Sequence, residues 1–330
     1  MKIDHEISYS IIRLTFGLIF LLGGGEYLVR GSLGIAKSLK LSPLLIGIVV
    51  VGFGTSVPEL LTSLLSVVGE RYAPGIAIGN VIGSNIANIL LIIGLSAAIA
   101  PISKIAVSKL DVYTLIASPI LFALAIFCLF VGWQKFVFPL SVIMVITMLI
   151  YVIVSWKGGK KREEDEVSLS GLWKDPVFNF AVAFIAIMTM YFGTRQMISE
   201  AQFIAEWMGV KETVIGLSIV AVGTSLPELA ASIIAAFHKE SEISIGNIVG
   251  SNIFNILFIP GLTGISATIF AITKHRDFKF EGGRDIVEDL VVMMVATILF
   301  SILLRKGKIS RLWGSFFFTA YVIYMIFIWK

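Results

Sequence analysis

A polar motif that occurs twice inside apolar sequence constrains this chain more than any other feature. Phe53-Gly-Thr-Ser-Val-Pro-Glu-Leu60 returns as Val222-Gly-Thr-Ser-Leu-Pro-Glu-Leu229, and Gly79-Asn-Val-Ile-Gly-Ser-Asn-Ile-Ala-Asn-Ile-Leu90 as Gly246-Asn-Ile-Val-Gly-Ser-Asn-Ile-Phe-Asn-Ile-Leu257. The second pair is identical at nine of twelve positions. An acid, hydroxyls, amides, glycines and a proline are unfavourable against lipid, so their duplication within apolar segments implies a buried polar site assembled from two halves. Such a site suits a cation.

The chain has 330 residues, 57% of them hydrophobic and 15% charged, with a mean hydropathy of +0.94. These values exclude an ordinary soluble enzyme and leave room for about ten membrane spans. The net charge of +4 does not indicate a nucleic-acid partner, because the basic residues lie mainly between apolar segments, where they act as topology signals. The expectation is an integral membrane protein surrounded by the lipid bilayer, with no cofactor and no obligatory protein partner. The single cysteine, Cys128, sits in an apolar run and reads as a small hydrophobe. His5, His238 and His275 are scattered near the ends of apolar segments, and Met188, Met190, Met197, Met293 and Met294 read as packing or lipid-contact residues.

Spans are expected near 11–30, 43–67, 75–99, 111–131, 137–155, 175–194, 210–236, 243–271, 286–304 and 313–329. The first apolar run lacks a small-residue cleavage site and is kept as a span. The clear hydrophilic interruption runs from Trp156 to Lys174 and contains Lys157, Lys160, Lys161, Arg162, Glu163, Glu164, Asp165 and Glu166. It divides the chain into a first five-helix repeat at 1–156, a linker at 157–174 and a second repeat at 175–330. Glu59 and Glu228 are 169 residues apart and Asn88 and Asn255 are 167 apart, so the halves are copies of nearly equal length. Five is odd, so the second copy enters the membrane in the opposite sense and the two form an inverted repeat.

Placing both termini outside puts most basic loop residues on the inner side, which favours a cytoplasmic linker and a prokaryotic inner or plasma membrane as the location. The 272–285 connection, with Lys274, Arg276, Lys279 and Arg284, opposes that assignment, although Asp277, Glu281 and Asp285 share it.

Within the first motif, proline removes a backbone donor and glycine relaxes the chain, so helices two and seven should break beside Glu59 and Glu228. Carbonyls exposed at such a break are costly in lipid and become ligands when they face a cation; Gly52 and Ala221 occupy the matching upstream positions. The second motif supplies Ser84 and Asn88, and Ser251 and Asn255, each pair four residues apart on one helical face. Gly79, Gly83, Gly246 and Gly250 permit close helix approach. With Thr55, Ser56, Thr224 and Ser225, the set is all oxygen, as a hard cation such as calcium requires, whereas zinc or copper would favour histidine or thiolate. Glu26 and Arg30 lie four apart and are expected to form a local ion pair.

These paired motifs resemble the two alpha repeats of the sodium/calcium exchanger family, within the calcium/cation antiporter superfamily, and the likeness spans essentially the whole chain. The resemblance implies an all-α bundle of ten transmembrane helices in two inverted repeats. It further implies sodium-coupled calcium antiport by alternating access, with the first and sixth spans sliding across the core. It implies that Glu59 and Glu228 coordinate calcium and compete for sodium. Thr55, Ser56, Ser84, Thr224, Ser225 and Ser251 would form flanking sodium sites, with Asn88 as a central amide and Ala221 as a carbonyl contributor. One position departs from the pattern. Asn255 stands where the family commonly has aspartate, which leaves proton-coupled or potassium-assisted exchange as the alternative. A passive cation channel suits two mirrored breaks around one site less well.

Overall fold

The computed structural model describes residues 2–68, 73–103, 107–159, 171–209, 221–274 and 284–328. It is helical apart from one two-residue strand pair. We number the helices in chain order: α1 Lys2–Ser38, α2 Pro43–Thr55, α3 Val57–Val68, α4 Pro74–Ile99, α5 Lys109–Phe130, α6 Val137–Gly158, α7 Pro176–Trp207, α8 Ala221–Thr224, α9 Leu226–Phe237, α10 Ser241–Lys274, α11 Arg284–Arg305 and α12 Arg311–Ile328. Eight of these are long and apolar enough to cross a membrane, and the bent pair α2–α3 makes a ninth span. The expected tenth, at 210–236, is described from residue 221 onward; 210–220 and most of the linker lie outside the described residues.

Local chemistry starts and stops the helices. Ser42 accepts a hydrogen bond from Leu45 N ahead of Pro43, Ser108 and Asp111 form a reciprocal capping box, and Asp175 accepts from Val177 N ahead of Pro176, all satisfying amides that helix starts leave free. Two spans are longer than hydropathy indicates. α1 continues through Lys37 to a left-handed turn at Lys40 (φ 54°), and α7 runs past Arg195 to Trp207. Neither extension contains a proline, and Glu200, in the extension of α7, takes Arg13 Nη1 of α1 at 3.4 Å.

α1 and α7 pack along each other for most of their length. The seam repeats every seven residues and runs antiparallel: Gly17 meets Gly193 and Met197, Gly24 meets Ala186 and Met190, and Gly31 meets Asn179 and Ala183. A Cβ on Gly24 would stand 2.9 Å from the Ala186 carbonyl oxygen, so the small residues set the helix separation. The remaining helices form the core around α10, which packs on α2, α3, α4, α5, α6 and α9. Ile86, Ile89, Ile93, Leu115, Ile253, Phe300 and Phe317 are fully buried in that core.

Matching contacts recur in the two halves. Tyr151 donates to Asp111 Oδ1 at 2.9 Å, tying α6 to α5, and Tyr324 donates to Asp289 Oδ1 at 3.0 Å, tying α12 to α11. Two contacts near the helix ends tie distant parts of the chain together. β1 (Ile102–Ser103), after α4, pairs antiparallel with β2 (Lys308–Ile309), after α11. Within α1, Glu26 takes Arg30 Nε at 2.7 Å and His238 Nε2, from the turn after α9, at 2.7 Å. The expected Glu26–Arg30 pair is therefore present, and His238 extends it. In the same turn, partial burial pushes the Glu240 carboxyl above its ordinary value, with Lys37 of α1 opposing the shift. The β1–β2 pair joins two connections that a ten-span, odd-repeat path places on one side, and the Glu26–His238 contact ties the C-terminal half of α1 to the turn after α9.

Candidate ion-exchange site

The two breaks have the same backbone geometry. Ser56 has φ −84° and ψ 8°, and Ser225 has φ −88° and ψ 7°; between α2 and α3 the axis bends by 42°. Pro58 and Pro227 cannot donate to the carbonyls of Gly54 and Gly223 four residues earlier, so the chain leaves the helical path one residue before the new helix begins. That puts Glu59 and Glu228 in the first turn of α3 and α9, both with no exposed surface.

The halves meet crosswise at these acids. Ser56 Oγ donates to Glu228 Oε1 at 2.9 Å, and Thr55 and Ser251 also face the Glu228 carboxylate. Thr224, Ser225 and the Glu228 carboxylate face Glu59. Ser251 Oγ donates to the Gly52 carbonyl at 3.1 Å, and Asn255 Nδ2 donates to Ser84 Oγ at 3.1 Å. Asn88 is fully buried in a π-wound stretch of α4, Ala87–Ile93, that packs on α9, the helix carrying Glu228. Ala221 opens α8, three residues before Thr224. Thus Thr55, Ser56, Glu59, Thr224, Ser225, Glu228 and Ser251 face one another, Ser84 and Asn255 form a second hydrogen-bonded pair between the halves, and the stretch carrying Asn88 packs on α9. The Gly52 carbonyl, expected as an open donor, is engaged by the Ser251 hydroxyl and by Ser56 N at 3.2 Å.

Glycine supports this convergence unevenly. Gly246 and Gly250 of α10 cross the backbone of Leu44, Gly47 and Ile48 in contact. The stretch of α2 they cross, Gly47–Gly52, is wound as a π-helix, a form often found at functional sites. By the repeat, the counterparts for Gly79 and Gly83 fall at 213–217, outside the described residues.

Of the buried oxygens that receive no hydrogen bond from any described residue, six gather at this site: Glu59 Oε1 and Oε2, Glu228 Oε2, Asn88 Oδ1, Asn255 Oδ1 and Ser225 Oγ. Buried oxygens without a donor are rare and costly, and two carboxylates cannot share a dry cavity as bare charges. A cation resolves both costs, and calcium takes six to eight oxygen ligands. Among the described residues no three His, Cys, Asp or Glu side chains gather; the donors are instead two acids with hydroxyls and amides.

Sequence reasoning passed over four residues of this assembly. Asn80 Nδ2 donates to the Glu59 carbonyl at 3.0 Å and to Ser63 Oγ at 2.9 Å. Asn247 Nδ2 donates to the Glu228 carbonyl at 3.1 Å and to Ser232 Oγ at 2.8 Å. The signal was available: Asn80, Ser84 and Asn88, like Asn247, Ser251 and Asn255, recur every four residues on one helical face.

The family model described as sodium/calcium exchanger protein matches residues 9–157 and 178–330. A sodium/calcium exchanger of Methanosarcina acetivorans is 29% identical over 98% of this chain and 100% of its own. A putative antiporter of Alkalimonas amylolytica is 32% identical over 96% of this chain and 97% of its own. Among solved structures, the sodium-calcium exchanger NCX_Mj soaked with 2.5 mM Na+ and 1 mM Sr2+ superposes with a TM-score of 0.76 at 31% identity, covering 96% of this chain and 97% of that one.

Proposed function

The chain belongs to the sodium/calcium exchanger family, and from that premise we propose which of its residues carry the exchange and how they enforce it. The protein is a secondary transporter, not an enzyme, with the inverted-repeat membrane fold, and it exchanges sodium for calcium by alternating access. The observation that carries the assignment of residues is the crosswise pair: Glu59 against Thr224 and Ser225, and Glu228 against Ser56 and Ser251, all buried.

Glu59 and Glu228 coordinate calcium and compete for sodium. Thr55, Ser56, Ser84, Thr224, Ser225 and Ser251 supply hydroxyls to flanking sodium sites, Asn88 and Asn255 supply amide oxygens, and Ala221 supplies a carbonyl. The ions share ligands, so loading by one disfavours the other; a site carrying unbalanced negative charge does not cross the dry barrier. Exchange follows from that exclusion. In sealed proteoliposomes, calcium-45 uptake is expected to require an opposing sodium gradient. Uptake that persists when the sodium gradient is abolished, and follows an imposed pH or potassium gradient instead, rejects sodium coupling.

We assign 1–156 and 175–330 as the two repeats and 157–174 as the linker between them; the two matched stretches, which leave out 158–177, support this division. The side carrying the linker and the basic connections faces the cytoplasm of a prokaryotic cell, with both termini outside.

Asn255 gives a further prediction. Its Nδ2 holds Ser84 while Oδ1 has no described donor, so it offers a neutral oxygen. Asn255→Asp removes that donor and adds a third acid, and it is expected to shift sodium/calcium competition and to steepen the pH dependence of exchange, with Asn88→Asp as the symmetric control. Unchanged competition and pH response in folded Asn255→Asp would place this residue outside the ion-coupling network.

A further inference from the structure

We propose that Asn80 and Asn247 are positioning residues of the exchange site: each amide clamps the broken helix beside it and fixes where the Glu59 or Glu228 carboxylate meets the transported cation. The proposal rests on the exchange reading above and concerns two residues outside the ligand set assigned there.

A helix break costs order. At Ser56 and Ser225 the backbone leaves helical geometry, and Pro58 and Pro227 lack the amide that would bond the carbonyls of Gly54 and Gly223, so the turn before α3 and α9 holds them in register with fewer hydrogen bonds. A glutamate in the first turn of such a segment is aimed only as well as the segment is held. The amide from α4 or α10 bonds at two points one turn apart, the glutamate carbonyl and the serine hydroxyl four residues later. One bond fixes a distance, whereas two bonds a turn apart also fix the rotation of the half-helix about its axis. That rotation decides the direction of the carboxylate.

Two further observations point the same way. The four distances agree between halves within about 0.1 Å, although the halves differ in winding, α4 carrying a π-wound stretch where α10 is regular. A contact kept while its surroundings diverge is held by its own geometry. Asn247 also accepts from Thr55 Oγ1 at 3.2 Å, so this amide links the α9 break to the last turn of α2 across the halves. Asn247 has no exposed surface, whereas Asn80 is half-buried, and Asn247 is therefore the more demanding of the two.

The test uses the full chain, purified for melting experiments and reconstituted for calcium-45 flux, with Asn80→Leu, Asn247→Leu, Ser63→Ala and Ser232→Ala. Residues that orient a metal's ligands typically change affinity ten- to hundredfold. Half-saturating calcium is accordingly expected to rise about tenfold in Asn80→Leu and more in Asn247→Leu, with a smaller rise in the serine variants, which keep the carbonyl bond. The calcium-induced increment in melting temperature should fall by more than half. A role in packing alone lowers the ion-free and ion-bound melting temperatures together and leaves that increment intact, and this result overturns the proposal, as does unchanged half-saturation. Should Asn247→Leu fail to fold, Asn247→Ser, which keeps one donor, is judged by the same criteria. Wild-type protein lacking any calcium increment would sink the exchange reading itself, and the proposal with it.

Discussion

Glu59→Gln is expected to abolish calcium-45 exchange while leaving the ion-free protein at least as stable as wild type. Neither Glu59 oxygen receives a hydrogen bond from a described residue, and the Glu228 carboxylate is its charged neighbour. The substitution therefore breaks no described hydrogen bond and removes one of two facing acids whose burial disfavours the empty site. Calcium binding loses a charge partner at a fully buried position, which costs about 3–5 kcal/mol, or on the order of a hundred- to several-thousandfold in affinity. Glu228→Gln should show the same loss of flux, and Ser56 can still donate to the new side-chain oxygen, so the fold is kept there too. Flux and melting temperature measured together separate this outcome from simple misfolding. Near-wild-type exchange in folded Glu59→Gln would remove the acid from the ion path.

The second large effect concerns architecture. At Gly250 a Cβ would stand 2.7 Å from Ile48 Cα and 2.9 Å from its carbonyl carbon, and closer still to the carbonyl oxygen. These are backbone atoms, which no rotamer change can withdraw. Gly250→Ala must therefore push α10 away from α2 at the residue next to Ser251, whose hydroxyl reaches the Gly52 carbonyl. Overpacking of this kind costs typically about 1–3 kcal/mol, and a contact against backbone belongs at the upper end. The expected result is a melting temperature lower by about 5 °C or more, with exchange lost even in the fraction that folds. Gly23, around which no described atom lies within 4 Å of a Cβ position, is the control: Gly23→Ala should change neither measurement. A Gly250→Ala protein with native melting and flux would show that α2 and α10 do not need their close crossing.

Residue chemistry made some of this site legible in the sequence and hid the rest. The breaks were readable because proline and glycine act on their own backbone, and Ser56 and Ser225 sit where Pro58 and Pro227 require. The inverted repeat was readable because the motifs recur at nearly constant separation. What spacing cannot give is the partner. The four-residue interval in Ser84–Asn88 says which face the residues share, but not that Asn255 would reach Ser84, or that Ser56 would bond the acid of the opposite half. The π-wound stretch Gly47–Gly52 was illegible for a related reason, since it coincides with the crossing of α10 rather than with any breaker of its own. Hydropathy also ended two helices early, because an exposed arginine such as Arg195 lowers the average without interrupting the backbone.

The seven-residue seam between α1 and α7 has a consequence for how the chain is made. α1 leaves the ribosome before α7, so the groove over Gly17, Gly24 and Gly31 has no filling until Gly193, Ala186 and Asn179 arrive well over a hundred residues later. Such non-local closure is slow and comes after local pairs have formed. Each half on its own would present an unfilled surface shaped for a helix from the other, so the repeat behaves as a pair of subunits fused by a linker. Separated halves are complete only when they insert together.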